Sequence, residues 1–135
     1  MYTIKKQIHF CYGHRLLNYD GPCKNLHGHN AIVQFELSSD QCNSTGMVQD
    51  FSEIKQIMEK WIIQNLDHRM LLCKNDPYIP LLQQRKEPIV ILQSNPTAET
   101  LAKLLYHQAH KLNLSVSKVT VWETSSSCAS YSDDP

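Results

Sequence analysis

Residues 27–37, HGHNAIVQFEL, alternate in a way that reads as a half-buried strand. Ala31, Val33, Phe35 and Leu37 continue the parity of His27 and His29, while Asn30, Gln34 and Glu36 fall on the other face. Successive strand side chains point to opposite faces, so the two imidazoles project to one side with a slim glycine, Gly28, between them. They end a face that is otherwise apolar, and the pair therefore points into a cavity and not into solvent.

Residues 2–14 repeat the pattern. Tyr2, Ile4, Ile8, Phe10, Tyr12 and His14 share one parity, with Thr3, Lys5 and Gln7 among the others, so His14 also ends an apolar face. Neutral imidazole is a preferred zinc ligand, and three protein ligands with one open tetrahedral position make a catalytic centre. A lone core histidine is more often a hydrogen-bonded packing residue. Two on one strand face with a third at a strand end point instead to Zn²⁺ held by His14, His27 and His29.

A length of 135 residues with 41% apolar content predicts one domain, residues 1–135, around a single core. Thirteen basic and thirteen acidic side chains cancel, and no window carries a Lys/Arg cluster, which argues against nucleic-acid and membrane partners and for small-molecule chemistry. No apolar run approaches the roughly 18 residues of a membrane span. The start, MYTIKKQIHF, lacks the order of a signal peptide, so a soluble cytoplasmic protein is expected. Cys11, Cys23, Cys42, Cys73 and Cys128 are irregularly spaced without a C-x-x-C, which predicts reduced thiols. Of these, Cys23 lies four positions before His27, where it could meet the metal.

Beyond the histidine strand, SSDQCNSTG is a turn-rich link, and Asp50 with Glu53 forms a capping-box signal for a helix. Phe51, Ile54, Ile57, Met58 and Trp61 make its apolar stripe, which we read as core packing, and the helix ends near Leu66 with Asp67 and His68 at its exit. A looser, three-proline segment, CKNDPYIPLLQQRKEP, precedes a short apolar run, IVIL, that could be a strand. Asn95 and Pro96 open a second helix bearing Leu101, Leu104, Leu105 and Leu112. His107 and His110 lie on its polar face and read as solvated. Last comes a strand with Val119, Val121 and Glu123 at one parity and Lys118, Thr120 and Trp122 at the other. Glu123 thus ends an apolar face, where a carboxylate is costly unless it meets a cation or a ligand that donates hydrogen bonds; a salt bridge or a solvated strand end is the plainer alternative. The expected class is α+β.

Six motifs then fall in order: Phe10-Cys-Tyr-Gly-His14-Arg-Leu, Cys23-Lys-Asn-Leu-His27-Gly-His29-Asn30, Gly46-Met-Val-Gln-Asp50-Phe51, Leu66-Asp67-His68, Asn95-Pro96-Thr97-Ala98-Glu99 and Trp122-Glu123-Thr124. Together they resemble the 6-pyruvoyl-tetrahydropterin synthase family from residue 4 to about residue 131. The short gap between Cys23 and His27 is most similar to the bacterial branch, the 6-carboxy-tetrahydropterin synthases of queuosine biosynthesis. The resemblance implies a tunnelling fold, with a four-stranded antiparallel sheet and two helices on one face, closing into a trimeric barrel and stacking as a homohexamer. It implies zinc at His14, His27 and His29, proton transfer by Cys23 and by an Asp67–His68 dyad, and Glu123 anchoring a pterin, with sites built across subunits. Cys128 departs from an aromatic residue common in the family, and segment 73–92 is longer than in short members.

The implied substrate is 7,8-dihydroneopterin triphosphate and the implied products are 6-carboxy-5,6,7,8-tetrahydropterin, acetaldehyde and triphosphate. Glu123 would accept the pterin 2-amino and N3–H donors together, with Thr97 and Thr124 adding hydrogen bonds. A 6-pyruvoyl product and a dihydroneopterin aldolase reaction are alternatives on the same fold. A non-enzymatic, cupin-like metal-binding barrel is the alternative from another class, although the usual cupin glutamate follows the histidine pair more closely than Glu36 does.

Overall fold

The computed structural model describes residues 1–133. In chain order the elements are β1 (Tyr2–His14), β2 (His27–Ser39), α1 (Phe51–Asn65), β3 (Arg69–Cys73), α2 (Tyr78–Gln84), β4 (Ile89–Leu92), α3 (Ala98–Lys111), β5 (Lys118–Thr124) and β6 (Ser127–Tyr131), with a single 3-10 turn at Pro22–Lys24. Among the described residues the strands form one sheet in the order β4-β3-β1-β2-β5-β6.

The two long strands pair antiparallel from Tyr2 opposite Ser39 to His14 opposite His27. Alternation sends one set of side chains inward. Ile8, Val33 and Val121 line up across three strands, Phe35 pairs with Val119, and all of these are almost wholly buried. Each such side chain contributes about 1.5–3 kcal/mol relative to exposure. Over this face lie two helices. α1 brings down Ile54, Met58 and Ile62, and α3 brings down Leu101, Leu105 and Ala109, each set spaced at one helical turn. α1 packs mainly on β1, and α3 on β5 and β6.

Side chains cap both helices. Asp50 Oδ1 accepts the Ser52 N–H at 2.8 Å, and Thr97 Oγ1 accepts the Thr100 N–H at 3.1 Å, so the second helix starts after Thr97 and not at Asn95. Asn95 splints the chain instead, accepting the Leu17 N–H and donating to the Leu17 carbonyl.

The sheet has six strands among the described residues, not four, and is mixed, since β3 runs parallel to β1 and β4 parallel to β3. The expected four-stranded antiparallel unit is β1, β2, β5 and β6; the two added strands are short and reach β1 over only three residues, Tyr12–His14 against Arg69–Leu71. A third helix, α2, occupies the proline-rich segment. Pro80 lies in its first turn, where a missing N–H removes no helical bond. Phe51 is 51% exposed because it takes the first helical position. A helix-backed single sheet is not the two-sheet jelly roll of a cupin. No helix among the described residues is long and apolar enough to cross a membrane.

Candidate active site

His14 and His27 face each other across the β1–β2 ladder, and His29 lies one repeat further, opposite Tyr12. Their ring centroids are 4.5 Å (His14–His27), 5.0 Å (His14–His29) and 5.2 Å (His27–His29) apart, and one nitrogen from each lies within 4.8 Å of the others. Gly28 between them is forced by close approach, since a Cβ there would come to 3.0 Å from the Tyr12 carbonyl oxygen.

Backbone carbonyls orient two of the rings. His14 Nδ1–H donates to the Pro96 carbonyl at 2.6 Å and His27 Nδ1–H to the Asn25 carbonyl at 2.7 Å. A carbonyl only accepts, so the proton sits on Nδ1 and the lone pair on Nε2. The Nε2 atoms of His14, His27 and His29 are buried and have no hydrogen-bond partner among the described residues. Burial lowers the His14 pKa most, His27 and His29 lower it further, and the Pro96 bond and Glu123 oppose them; the net effect favours neutral imidazole. Three converging, unpaired nitrogens, two of them on rings with carbonyl outer partners, fit a zinc ion with an open fourth position.

Glu123 reaches the same place. The β5–β6 register shifts between Trp122 and Thr124, leaving Glu123 as the extra residue of a bulge, a distortion that re-aims a side chain. Its Oε2 stands 3.8 Å from His29 Nε2. A cavity of about 260 Å³ is lined by His14, Cys23, Thr97, Glu123 and Cys128. Cys23 is a free thiol in the 3-10 turn and is not among the three ligand residues clustered within 4.8 Å. Its loop is tied down. The Cys23 carbonyl accepts the Leu16 N–H, and Arg15 donates to the Lys24 carbonyl while forming a bidentate pair with Asp76 at 2.7 and 3.0 Å. The Asp76 side chain is fully buried, so removing Arg15 would strand it at a cost of about 3–5 kcal/mol.

The other expected residues part company. Thr97 lines the cavity, but its hydroxyl caps α3. Thr124 lines a different groove with Gln7, Asn30 and Trp122. Asp67 and His68 lie beside Cys11, whose side chain is on the opposite face of β1 from His14. There His68 Nδ1 bonds Asp67 Oδ2 at 2.8 Å, Asp67 Oδ1 accepts the Cys11 N–H at 2.9 Å, and the His68 N–H donates to the Cys11 carbonyl. Burial alone would raise the Asp67 pKa, but the Cys11 N–H and His68 outweigh it and hold the carboxyl below its ordinary value. The His68 ring is 79% exposed, at the rim of a groove of about 620 Å³ lined also by Arg69, Met70, Leu82 and Glu87. Sequence reasoning missed Cys11 in this cluster and Tyr12 beside the histidines. Their place on β1, at alternate parities just before His14, is the signal that could have found them. His110 bonds the Val116 carbonyl and takes no part in either cluster.

A family model described as 6-pyruvoyl tetrahydropterin synthase matches residues 3–134. The chain is 33% identical to the 6-carboxy-5,6,7,8-tetrahydropterin synthase of Haemophilus influenzae, across 98% of its own length and 100% of that protein's. It is 34% identical to the Aquifex aeolicus enzyme of the same name, across 83% and 76%. Its fold matches a crystal structure of a protein from Wolinella succinogenes at a TM-score of 0.80 and 26% identity, covering 98% of each chain. It also matches the 6-pyruvoyl tetrahydropterin synthase of Caenorhabditis elegans at 0.74 and 21%, over 98% and 96%, a likeness of fold alone. Because the family match runs through nearly the whole chain and relatives at a third identity cover its length, this protein belongs to the 6-pyruvoyl tetrahydropterin synthase family of enzymes.

Proposed function

We propose that the protein is a 6-carboxy-tetrahydropterin synthase, converting 7,8-dihydroneopterin triphosphate and one water to 6-carboxy-5,6,7,8-tetrahydropterin, acetaldehyde and triphosphate, a step of queuosine biosynthesis. One observation carries the site: three buried, unpaired Nε2 atoms converge beside a carboxylate and a free thiol. The names of the Haemophilus influenzae and Aquifex aeolicus relatives support the product.

His14, His27 and His29 would hold zinc through Nε2. Bound there, the ion supplies Lewis acidity that makes a substrate hydroxyl easier to deprotonate and a carbonyl easier to enolise. Cys23, as thiolate, accepts a proton from the substrate side chain and returns it. Glu123 accepts the 2-amino and N3–H donors of the pterin edge as a carboxylate accepts an arginine fork, and so orients the ring. Thr97 lies at the cavity wall as a further contact. Asp67 holds the proton on His68 Nδ1 and frees Nε2 to shuttle a second proton.

The dyad stands with Cys11 on the other face of β1 from His14 and, at the rim of an open groove that His27 and His29 also line, it serves the cavity of a neighbouring subunit, with Thr124 on the surface between them. The open edges β4 and β6 are where further copies would pair to close the barrel. We therefore propose a single tunnelling-fold domain assembled as a cytoplasmic homohexamer of two trimers. Incubation of zinc-loaded protein with dihydroneopterin triphosphate, read by mass spectrometry, should yield the 6-carboxy product. A 6-pyruvoyl or aldol-cleavage product would reassign the reaction on the same fold, and no turnover would reject the substrate.

A further inference from the structure

A metal ion would satisfy the three bare histidine nitrogens but not a fourth buried polar atom in the same place. Tyr12 is 3% exposed, and its Oη has no hydrogen-bond partner among the described residues. Such an orphan is rare in native structures and asks for an explanation.

Tyr12 stands on β1 opposite His29, its ring edge-on to His14 at 5.1 Å and tilted over His29 at 5.9 Å. An un-ionised phenol has one proton to donate, and both it and the Glu123 carboxylate stand against His29. No hydrogen bond of ordinary geometry joins the phenol to that carboxylate. On its other side Glu123 is 3.8 Å from His29 Nε2, also too far for a hydrogen bond, and about a quarter exposed to the cavity. A metal on the histidines would occupy that nitrogen. Tyr12 would then be left as the buried donor beside Glu123.

We propose that Tyr12 is a positioning residue for Glu123, its hydroxyl donating to one carboxylate oxygen from the buried side while a flat ligand edge with two adjacent N–H donors takes the open side. A carboxylate has about four lone-pair sites, so it can accept both ligand donors and the phenol. Held from behind, it cannot turn to suit a ligand that offers one donor, and the site selects for the two-donor edge. This inference rests on the reading that Glu123 meets a pterin.

Tyr12→Phe keeps the ring and removes only Oη. Titration calorimetry with neopterin on the zinc-loaded proteins should show binding weakened on the order of 5- to 30-fold. Zinc content should be unchanged, and Tyr12→Phe should cause no further loss when added to Glu123→Gln. Equal affinity of Tyr12→Phe and parent, loss of zinc, or a full additional loss in the Glu123→Gln background would each overturn the role. Failure of the parent itself to bind neopterin would strike the pterin reading instead. Ligand-free crystals of parent and Tyr12→Phe would then decide Tyr12: a displaced Glu123 carboxylate in the variant supports the role, and an unmoved one ends it.

Discussion

Three residues apart on β1, His14 and Cys11 belong to two clusters built on opposite principles. Around His14 the inner imidazole nitrogens are buried and bare, although only the His14 ring is wholly buried. Around Cys11 each Asp67 carboxylate oxygen has a partner, and the imidazole is exposed. Unpaired buried nitrogens are costly until an ion arrives, whereas a satisfied Asp–His pair is already complete and free to exchange protons. Clusters of similar composition thus announce different chemistry through which lone pairs are left over. On the proposed reading, one holds a metal and the other moves a proton.

The hardest test of that division is His27→Ala, which should drop zinc, measured by atomic emission, well below about one equivalent per chain and abolish turnover. His68→Ala should keep its zinc and lose activity. If the clusters meet only across subunits, unfolding and refolding the two inactive variants together restores activity in about one site in four, by random assembly; no restoration would place each site within one chain. Next in size, Cys23→Ala should retain zinc and fold yet turn over roughly 10²- to 10⁴-fold more slowly in steady-state assays, the usual worth of a positioned acid-base group. Zinc lost along with activity would move Cys23 into the metal cluster.

Glu123→Gln puts a donor against a pterin donor and should weaken binding about 5- to 150-fold by calorimetry, with zinc intact. The smallest effect belongs to Asp67→Asn. The Asp67 pKa is lowered in the folded protein, so its stabilisation is full above the ordinary carboxylate value and is lost as pH falls through the lowered one. The gap in Tm between parent and Asp67→Asn should therefore be widest near neutral pH and close below about pH 4. A gap that stays constant with pH would show that the Cys11 and His68 bonds do not depend on the charge.

What was legible in the chain was local. Alternation along β1 and β2 gave the buried face, and helical spacing gave the stripes of α1 and α3, because these patterns repeat within a dozen residues. The histidine trio could be read for the same reason, each residue ending a run of known parity. β3 escaped because its only tie to β1 is three parallel pairings across more than fifty residues, and α2 because Pro77 and Pro80 look like breakers until their places at the N-cap and in the first turn are known. Parity indicated that His14, His27 and His29 face inward. It could not say which nitrogen of each ring is bare, since that depends on the carbonyls of Pro96 and Asn25, and Pro96 lies eighty-two positions from His14.

The Arg15–Asp76 pair has a bearing on how such an enzyme can change. Asp76 stands at the entrance of the segment that carries α2 and runs on to β4, and through Arg15 it clamps the loop bearing Cys23. At the start of α2 the clamp takes in Tyr78, whose ring lies 4.5 Å from the Arg15 guanidinium and whose N–H donates to Asp76. Insertions and deletions between Tyr78 and β4 can reshape the surface around α2 while Arg15 and Asp76 keep the loop bearing Cys23 in place, so new surface preferences can be tried there without moving the thiol.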